Sequence, residues 1–247
     1  MSETQGFLER GDRERLAWRR VAGRGPAVVW LGGFRSDMTG TKAQALATWA
    51  AARGQAYVRF DYFAHGESTG DFAKGTITRW RDDALAVLAE LVEGPAVLIG
   101  SSMGGWIACL AAMAKPDRVK GMVLVAPAAD FTETLITPEI PSEGRAELAR
   151  NGVWFRPSLY GEPYPITRAL LEDGARWSIM SGPVPIEVPV RVLQGGADPE
   201  VPWRHALELA NALNGEDVVF SLIKDGDHRL SRPQDIARLI AAVEDVV

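Results

Sequence analysis

Gly100-Ser101-Ser102-Met103-Gly104 places a serine between glycines two positions away on either side, and three histidines and many carboxylates lie elsewhere in the chain. A serine hydroxyl is a poor nucleophile at neutral pH. It attacks a carbonyl only with a base in hydrogen-bond reach and an acid that orients the base. The G-x-S-x-G spacing suits a sharp strand-to-helix turn that lifts a serine Oγ above a sheet edge, with glycines where side chains would collide. That logic selects Ser102 over Ser101, because Ile99 stands two residues before Ser101.

Three histidines compete for the base. His65 lies in a turn-rich loop, Asp61-Tyr62-Phe63-Ala64-His65-Gly66-Glu67-Ser68, and reads as a turn stabiliser. His205 falls in the first turn of a predicted helix, where a solvated or packing role is the ordinary one. His228 follows the last predicted strand, in Lys224-Asp225-Gly226-Asp227-His228, and is the expected base. For the acid, Asp198 follows the preceding strand in Gln194-Gly195-Gly196-Ala197-Asp198-Pro199, and is preferred to Asp130 at the end of an earlier one. Asp225 and Asp227 sit too close to His228 along the loop to reach its far nitrogen. An oxyanion also needs preorganised backbone donors. The N–H groups of Met103, directly after the nucleophile, and Phe34, directly after Gly32-Gly33, are the expected pair.

The elements that must position these groups alternate. Short apolar runs at Ala27–Leu31, Ala56–Phe60, Val97–Ile99, Val119–Val125, Val190–Gln194 and Val218–Ile223 read as strands, and Gly6–Arg20 as two edge strands or a hairpin. Helical patterns fall at Thr41–Arg53, about Thr78–Glu93, Gly105–Ala114, Trp203–Leu213 and Pro233–Val247. Alternation of this kind predicts an α/β fold, a mostly parallel central sheet with helices on both faces. It breaks from about Ala128 to Pro189, which holds eight prolines and no clear strand. That segment carries Trp154, Phe155, Leu159, Tyr160, Tyr164, Leu170, Leu171, Trp177 and Met180, too many large apolar groups for a disordered linker. The expected organisation is a core of residues 1–127 and 190–247 with a helical lid, 128–189, over the site. Such a lid gives the site an apolar wall, to which Phe34 and Trp106 are expected to add aromatic surface.

Composition removes other function classes. The net charge of −5 leaves no basic face for nucleic acid or anionic membrane. The single cysteine, Cys109, excludes an intrachain disulfide and lies in an apolar helix, as core filler would. No metal-ligand cluster is visible, and acyl transfer through a serine needs no cofactor. No run approaches the ~18 apolar residues of a membrane span, and the polar first 20 residues contain no signal-like segment. The expectation is a cytoplasmic protein of open oligomeric state.

Read together, these residues are identified as those of an α/β-hydrolase. More narrowly, Gly40-Thr41-Lys42-Ala43, Arg59-Phe60-Asp61-Tyr62, Gly100–Trp106, Asn151-Gly152-Val153-Trp154, Val201-Pro202-Trp203 and Asp227-His228-Arg229 resemble the mitochondrial acyl-protein thioesterase branch and its bacterial relatives. The order Ser102, Asp198, His228 is that fold's order. Most relatives have His-Gly where this chain has Gly32-Gly33, a departure that leaves the Phe34 backbone donor intact. The resemblance implies hydrolysis of acyl esters or thioesters, with thioester preference, but not mitochondrial targeting, coming from it. Two rivals remain: carboxylate-nucleophile hydrolases of this fold, which Ser102 argues against, and a ligand-binding protein on a hydrolase scaffold, which turnover would separate.

Overall fold

A computed structural model describes residues 3–11, 13–157 and 162–247; Leu159 and Tyr160 lie outside the described residues. The strands are β1 (Glu3–Glu9), β2 (Arg15–Val21), β3 (Arg24–Leu31), β4 (Gln55–Phe60), β5 (Ala96–Ser101), β6 (Val119–Val125), β7 (Val153–Arg156), β8 (Tyr164–Thr167), β9 (Val190–Gly195) and β10 (Val218–Ile223). The helices are α1 (Thr41–Arg53), α2 (Ile77–Glu90), α3 (Met103–Ala114), α4 (Ser142–Asn151), α5 (Arg168–Arg176), α6 (Trp203–Ala212) and α7 (Pro233–Val246). Eight strands form one sheet in the order β1-β2-β4-β3-β5-β6-β9-β10. β1 and β2 pair antiparallel, as does β2 with β4, and the remaining pairs are parallel.

Period-2 alternation splits the sheet's side chains between two cores. Val28, Trp30, Val97, Ile99, Val123 and Val125 pack on one face with Ala43, Leu46 and Ala50 of α1 and Leu239, Val243 and Val246 of α7. Val29, Leu31, Leu98, Met122 and Leu124 face the other way, onto Trp80 of α2, Trp106 of α3 and Leu209 of α6. Both faces being covered is what lets strands such as Ala96–Ser101 be buried at every position. Chain polarity then brings the carboxyl ends of β3, β5, β6, β9 and β10 to one edge, and ligands of open parallel sheets bind there.

The connection between β6 and β9 differs from the expectation of no strand. Beside α4 and α5 it forms an antiparallel hairpin, β7 against β8, with Trp154 opposite Ile166. Trp154 and Ile166 are buried while Phe155 is 56% exposed. Each strand has four residues, too few for alternation to declare itself, and Pro165 lies inside β8. The segment is tied down by Trp177 Nε1, which donates to Thr78 Oγ1 (2.6 Å), and by Asp173, whose carboxylate takes both the N–H and the hydroxyl of Thr78 (2.7 Å each).

Candidate active site

Ser102 stands between the end of β5 and the start of α3 with φ 55° and ψ −121°, a conformation that side-chain-bearing residues rarely adopt. Its backbone is gripped from β6 and the loop beyond it. The Ser102 N–H donates to the Val125 carbonyl (2.9 Å), and its own carbonyl accepts from the Ala128 N–H (3.1 Å). The turn requires its glycines. A Cβ on Gly100 would stand 2.4 Å from the Gly104 carbonyl oxygen, and one on Gly104 would stand 2.0 Å from that of Leu31. The nearby chain therefore passes at van der Waals contact, and the serine is held by backbone.

His228 Nε2 lies 3.1 Å from Ser102 Oγ, and its Nδ1 lies 2.8 Å from Asp198 Oδ2. Burial opposes the charge on Asp198, but hydrogen bonds from His228 and from the N–H groups of Val201 and Glu200 outweigh it and hold the carboxyl below its ordinary range. Gln194 Nε2 donates to the same Oδ2 at 3.1 Å. An ionised acid at Nδ1 fixes the imidazole with that nitrogen protonated, leaving Nε2 to accept from the serine.

The rivals for base and acid are used elsewhere. His65 is buried, which pushes its pKa down to about 4; its Nε2 accepts from the Arg35 N–H (3.1 Å) and its Nδ1 faces the Phe63 carbonyl (3.0 Å). His205 donates through Nε2 to the Ala129 carbonyl (2.8 Å), and burial lowers its pKa too. Asp130 turns away from His228 to bind Ser178 Oγ (2.6 Å) and the N–H groups of Ile179 (3.0 Å) and Met180 (2.9 Å). Cys109 is buried and its thiol is pushed up to about 12. A second G-x-S-x-G, Gly66–Gly70, carries no free hydroxyl: Ser68 Oγ donates to the Asp61 carbonyl (2.6 Å) and accepts from the Ala17 N–H (2.8 Å).

The loop after β3 runs against the elbow. A Cβ on Gly33 would sit 3.3 Å from Ser102 Cβ, which puts the next peptide, that of Phe34, beside the serine. Among the described residues the Phe34 N–H meets no acceptor. Met103 is the first residue of α3, where an N–H has no intrahelical partner. The loop is braced from β4's end: Arg35, at φ 57°, donates to His65, and the Met38 N–H donates to Asp61 Oδ1 at 2.7 Å.

Above Ser102 opens a cavity of about 730 Å³ lined by Phe34, Met103, Phe131, Leu135, Ile136, Tyr164 and Val201 on its apolar side. Arg35, Lys42, Glu200 and Arg229 line it as well, and none had been assigned a role from sequence. Lys42, from α1, donates through Nζ to the Arg229 carbonyl and so grips the loop carrying His228; burial lowers its pKa to about 8. Glu200 Oε2 lies 4.0 Å from His228 Nε2. The signal for both was proximity to a motif: Lys42 within Gly40–Ala43, Glu200 two residues after Asp198. Trp106 departs from expectation. It is fully buried, donates to the Trp177 carbonyl (3.2 Å) and packs edge-on against Phe131, so Phe131, not Trp106, faces the cavity.

Residues 13–239 match the Alpha/beta hydrolase family. The chain belongs to that family. The α/β-hydrolase relatives include the bovine protein named "Palmitoyl-protein thioesterase ABHD10, mitochondrial", 37% identical over 243 residues, which cover 98% of this chain and 79% of that one. Among solved structures, mouse alpha/beta hydrolase domain-containing protein 10 superposes with a TM-score of 0.90 at 35% identity, covering 98% of this chain and 97% of its own. A crystal structure from Agrobacterium vitis S4 superposes at 0.96 with 45% identity over the full length of both chains. The likeness extends over nearly the whole α/β-hydrolase, including the connection between β6 and β9, and places this chain among hydrolases.

Proposed function

We propose that this α/β-hydrolase is a serine hydrolase that cleaves acyl esters and thioesters through an acyl-enzyme on Ser102. One observation carries the reading: an unbroken chain of hydrogen bonds, Ser102 Oγ to His228 (3.1 Å) and His228 to Asp198 (2.8 Å), at the floor of a cavity with one apolar side. Ser102 Oγ attacks the acyl carbonyl while His228 Nε2 takes its proton. The Phe34 and Met103 N–H groups hold the oxyanion, an interaction worth about 3 kcal/mol per donor at such sites. The tetrahedral intermediate collapses, the bond from carbon to the departing sulfur or oxygen breaks, and His228 returns its proton to the leaving group. Water, deprotonated by His228, then hydrolyses the acyl-serine. Asp198 stays ionised and holds the imidazole. No cofactor enters these steps.

The segment 128–189 serves in this reading as the lid, and the core is 1–127 with 190–247. Phe131, Leu135, Ile136 and Tyr164 come from that segment and give an acyl chain its apolar wall. Thioester cleavage is favoured by the name that the mammalian relatives carry. The cytoplasm is the proposed location, with the free Cys109 suited to a reducing compartment; among the described residues no helix is long and apolar enough to cross a membrane. A panel of acyl esters and matched thioesters tests the function. Steady turnover of both, lost in Ser102→Ala, is expected. Stoichiometric binding without turnover would instead favour the ligand-binding reading.

A further inference from the structure

Glu200 is the carboxylate nearest the nitrogen that must hand a proton to the leaving group. Its Oε2 is 4.0 Å from His228 Nε2, the face of the imidazole turned to Ser102, whereas Asp198 occupies the opposite face. Its backbone is fixed. Asp198 Oδ1 accepts from the Glu200 N–H (2.8 Å) and the Val201 N–H (2.9 Å), so the acid that orients His228 also sets the turn presenting Glu200. The Glu200 side chain is 33% exposed and lines the cavity. Among the described residues the ion-pair neighbour of its carboxylate is His228.

Cations do line the same cavity, but three of them are engaged elsewhere. Arg156 pairs with Glu139 (2.6 Å), Lys42 holds the Arg229 carbonyl, and the Arg35 guanidinium lies over the rings of Phe72 and Tyr164 at 5.9 and 5.8 Å. Among the described residues none of these three is paired with Glu200. A carboxylate beside a proton-transfer atom acts most strongly on charge close to the departing atom, because Coulomb energy falls with distance.

We infer that Glu200 is a specificity-determining residue that selects leaving groups bearing a positive charge two or three bonds from the departing oxygen or sulfur, that is, amino alcohols and aminothiols. The inference rests on the serine-hydrolase reading and deepens it by naming the substrate's leaving side. In each turnover the acyl group is transferred to Ser102 Oγ, and the released hydroxyl or thiol takes its proton from His228. The cation stays on the leaving group and meets Glu200 both in the bound substrate and as the bond breaks.

The test uses two hexanoyl esters of equal shape, one of 2-(trimethylammonio)ethanol and one of neutral 3,3-dimethylbutanol, with a carboxylate-bearing hexanoyl ester as third substrate. The wild type is expected to prefer the cationic ester over its neutral isostere in kcat/KM by about three- to fivefold, the size a partly exposed charge pair supports, and to disfavour the anionic one. Glu200→Gln should bring the cationic-to-neutral ratio to about unity, and Glu200→Lys should invert it. Each ratio is read within one protein, so a general loss of activity does not move it. A wild-type ratio near one, or a ratio unchanged by both substitutions, overturns the inference and leaves the serine mechanism standing. Absence of turnover with all three esters overturns both.

Discussion

Ser102, His228 and Asp198 come from three loops: Ser102 is held through its backbone by Val125 and Ala128, Asp198 by the N–H groups of Glu200 and Val201, and the loop carrying His228 by Lys42. The residue types were legible because each chemical role admits few types. The glycine frame picked the serine, and position after the last strand picked His228 over His65, in a turn-rich loop, and His205, in a helix. Glu200 was not legible, since its meaning depends on a 4.0 Å approach across two loops. The same holds for Lys42, whose bond to the Arg229 carbonyl spans most of the chain. Asp198 gives a sharp test of the pairing. Its carboxyl titrates lower in the folded chain than in the unfolded one. Between those two values the unfolded chain binds more protons, so the stability Asp198 contributes is present above the ordinary carboxylate pKa and drains away as pH falls through the folded value. Asp198→Asn is therefore expected to be less stable than wild type at pH 7, with the gap narrowing below about pH 4. Urea unfolding across pH reads this out, and a gap that stays constant argues against an ionised Asp198. At pH 7 the same variant should lose about three to four orders of magnitude in kcat through disordering of His228.

The main-sheet strands and the helices that cover them were legible as elements because burial on both faces writes continuous apolar runs, and because α1 and α3 are closed by a glycine or a nearby proline. Gly54, for instance, closes α1 at φ 65°. The β7–β8 hairpin was not, because it packs outside the main sheet and Pro165 masks it. The prediction at this scale concerns how that connecting segment is anchored. Asp130 is 1% exposed, sits at φ 53°, and gathers Ser178, Ile179 and Met180 onto the end of β6. Asp130→Ala leaves those donors without an acceptor and is expected to cost roughly 2 kcal/mol or more. Hydrogen exchange at Ile179 and Met180 should accelerate, while labelling of Ser102 by a fluorophosphonate persists. Unchanged exchange at these two amides would contradict the anchoring, and loss of labelling equal to that in Asp198→Asn would make Asp130 the acid.

The whole molecule sets a cavity of about 730 Å³ with an apolar wall directly over the elbow, and its size bears on substrate. Each methylene buried there is worth ~0.8 kcal/mol, so kcat/KM is expected to rise from acetyl to medium-chain acyl groups in both ester and thioester series. A profile that peaks at acetyl and falls steadily would refute the acyl-groove reading without touching the hydrogen-bonded chain beneath it. The sheet edge that gathers the site follows from strand direction, which alternation of strands and helices made readable. The cavity's wall comes largely from the connecting segment, whose path no local pattern announces.

The central claim is that a covalent acyl-enzyme forms on Ser102, and intact-protein mass spectrometry of the full chain tests it most directly. Incubation with a fluorophosphonate, and separately rapid quenching during turnover of a medium-chain thioester, should each add one adduct. Peptide mapping should place that adduct on Ser102, with Ser101→Ala still labelled and Ser102→Ala unlabelled and slower by about three or more orders of magnitude. An adduct on another residue, or turnover that survives in Ser102→Ala, would contradict the account.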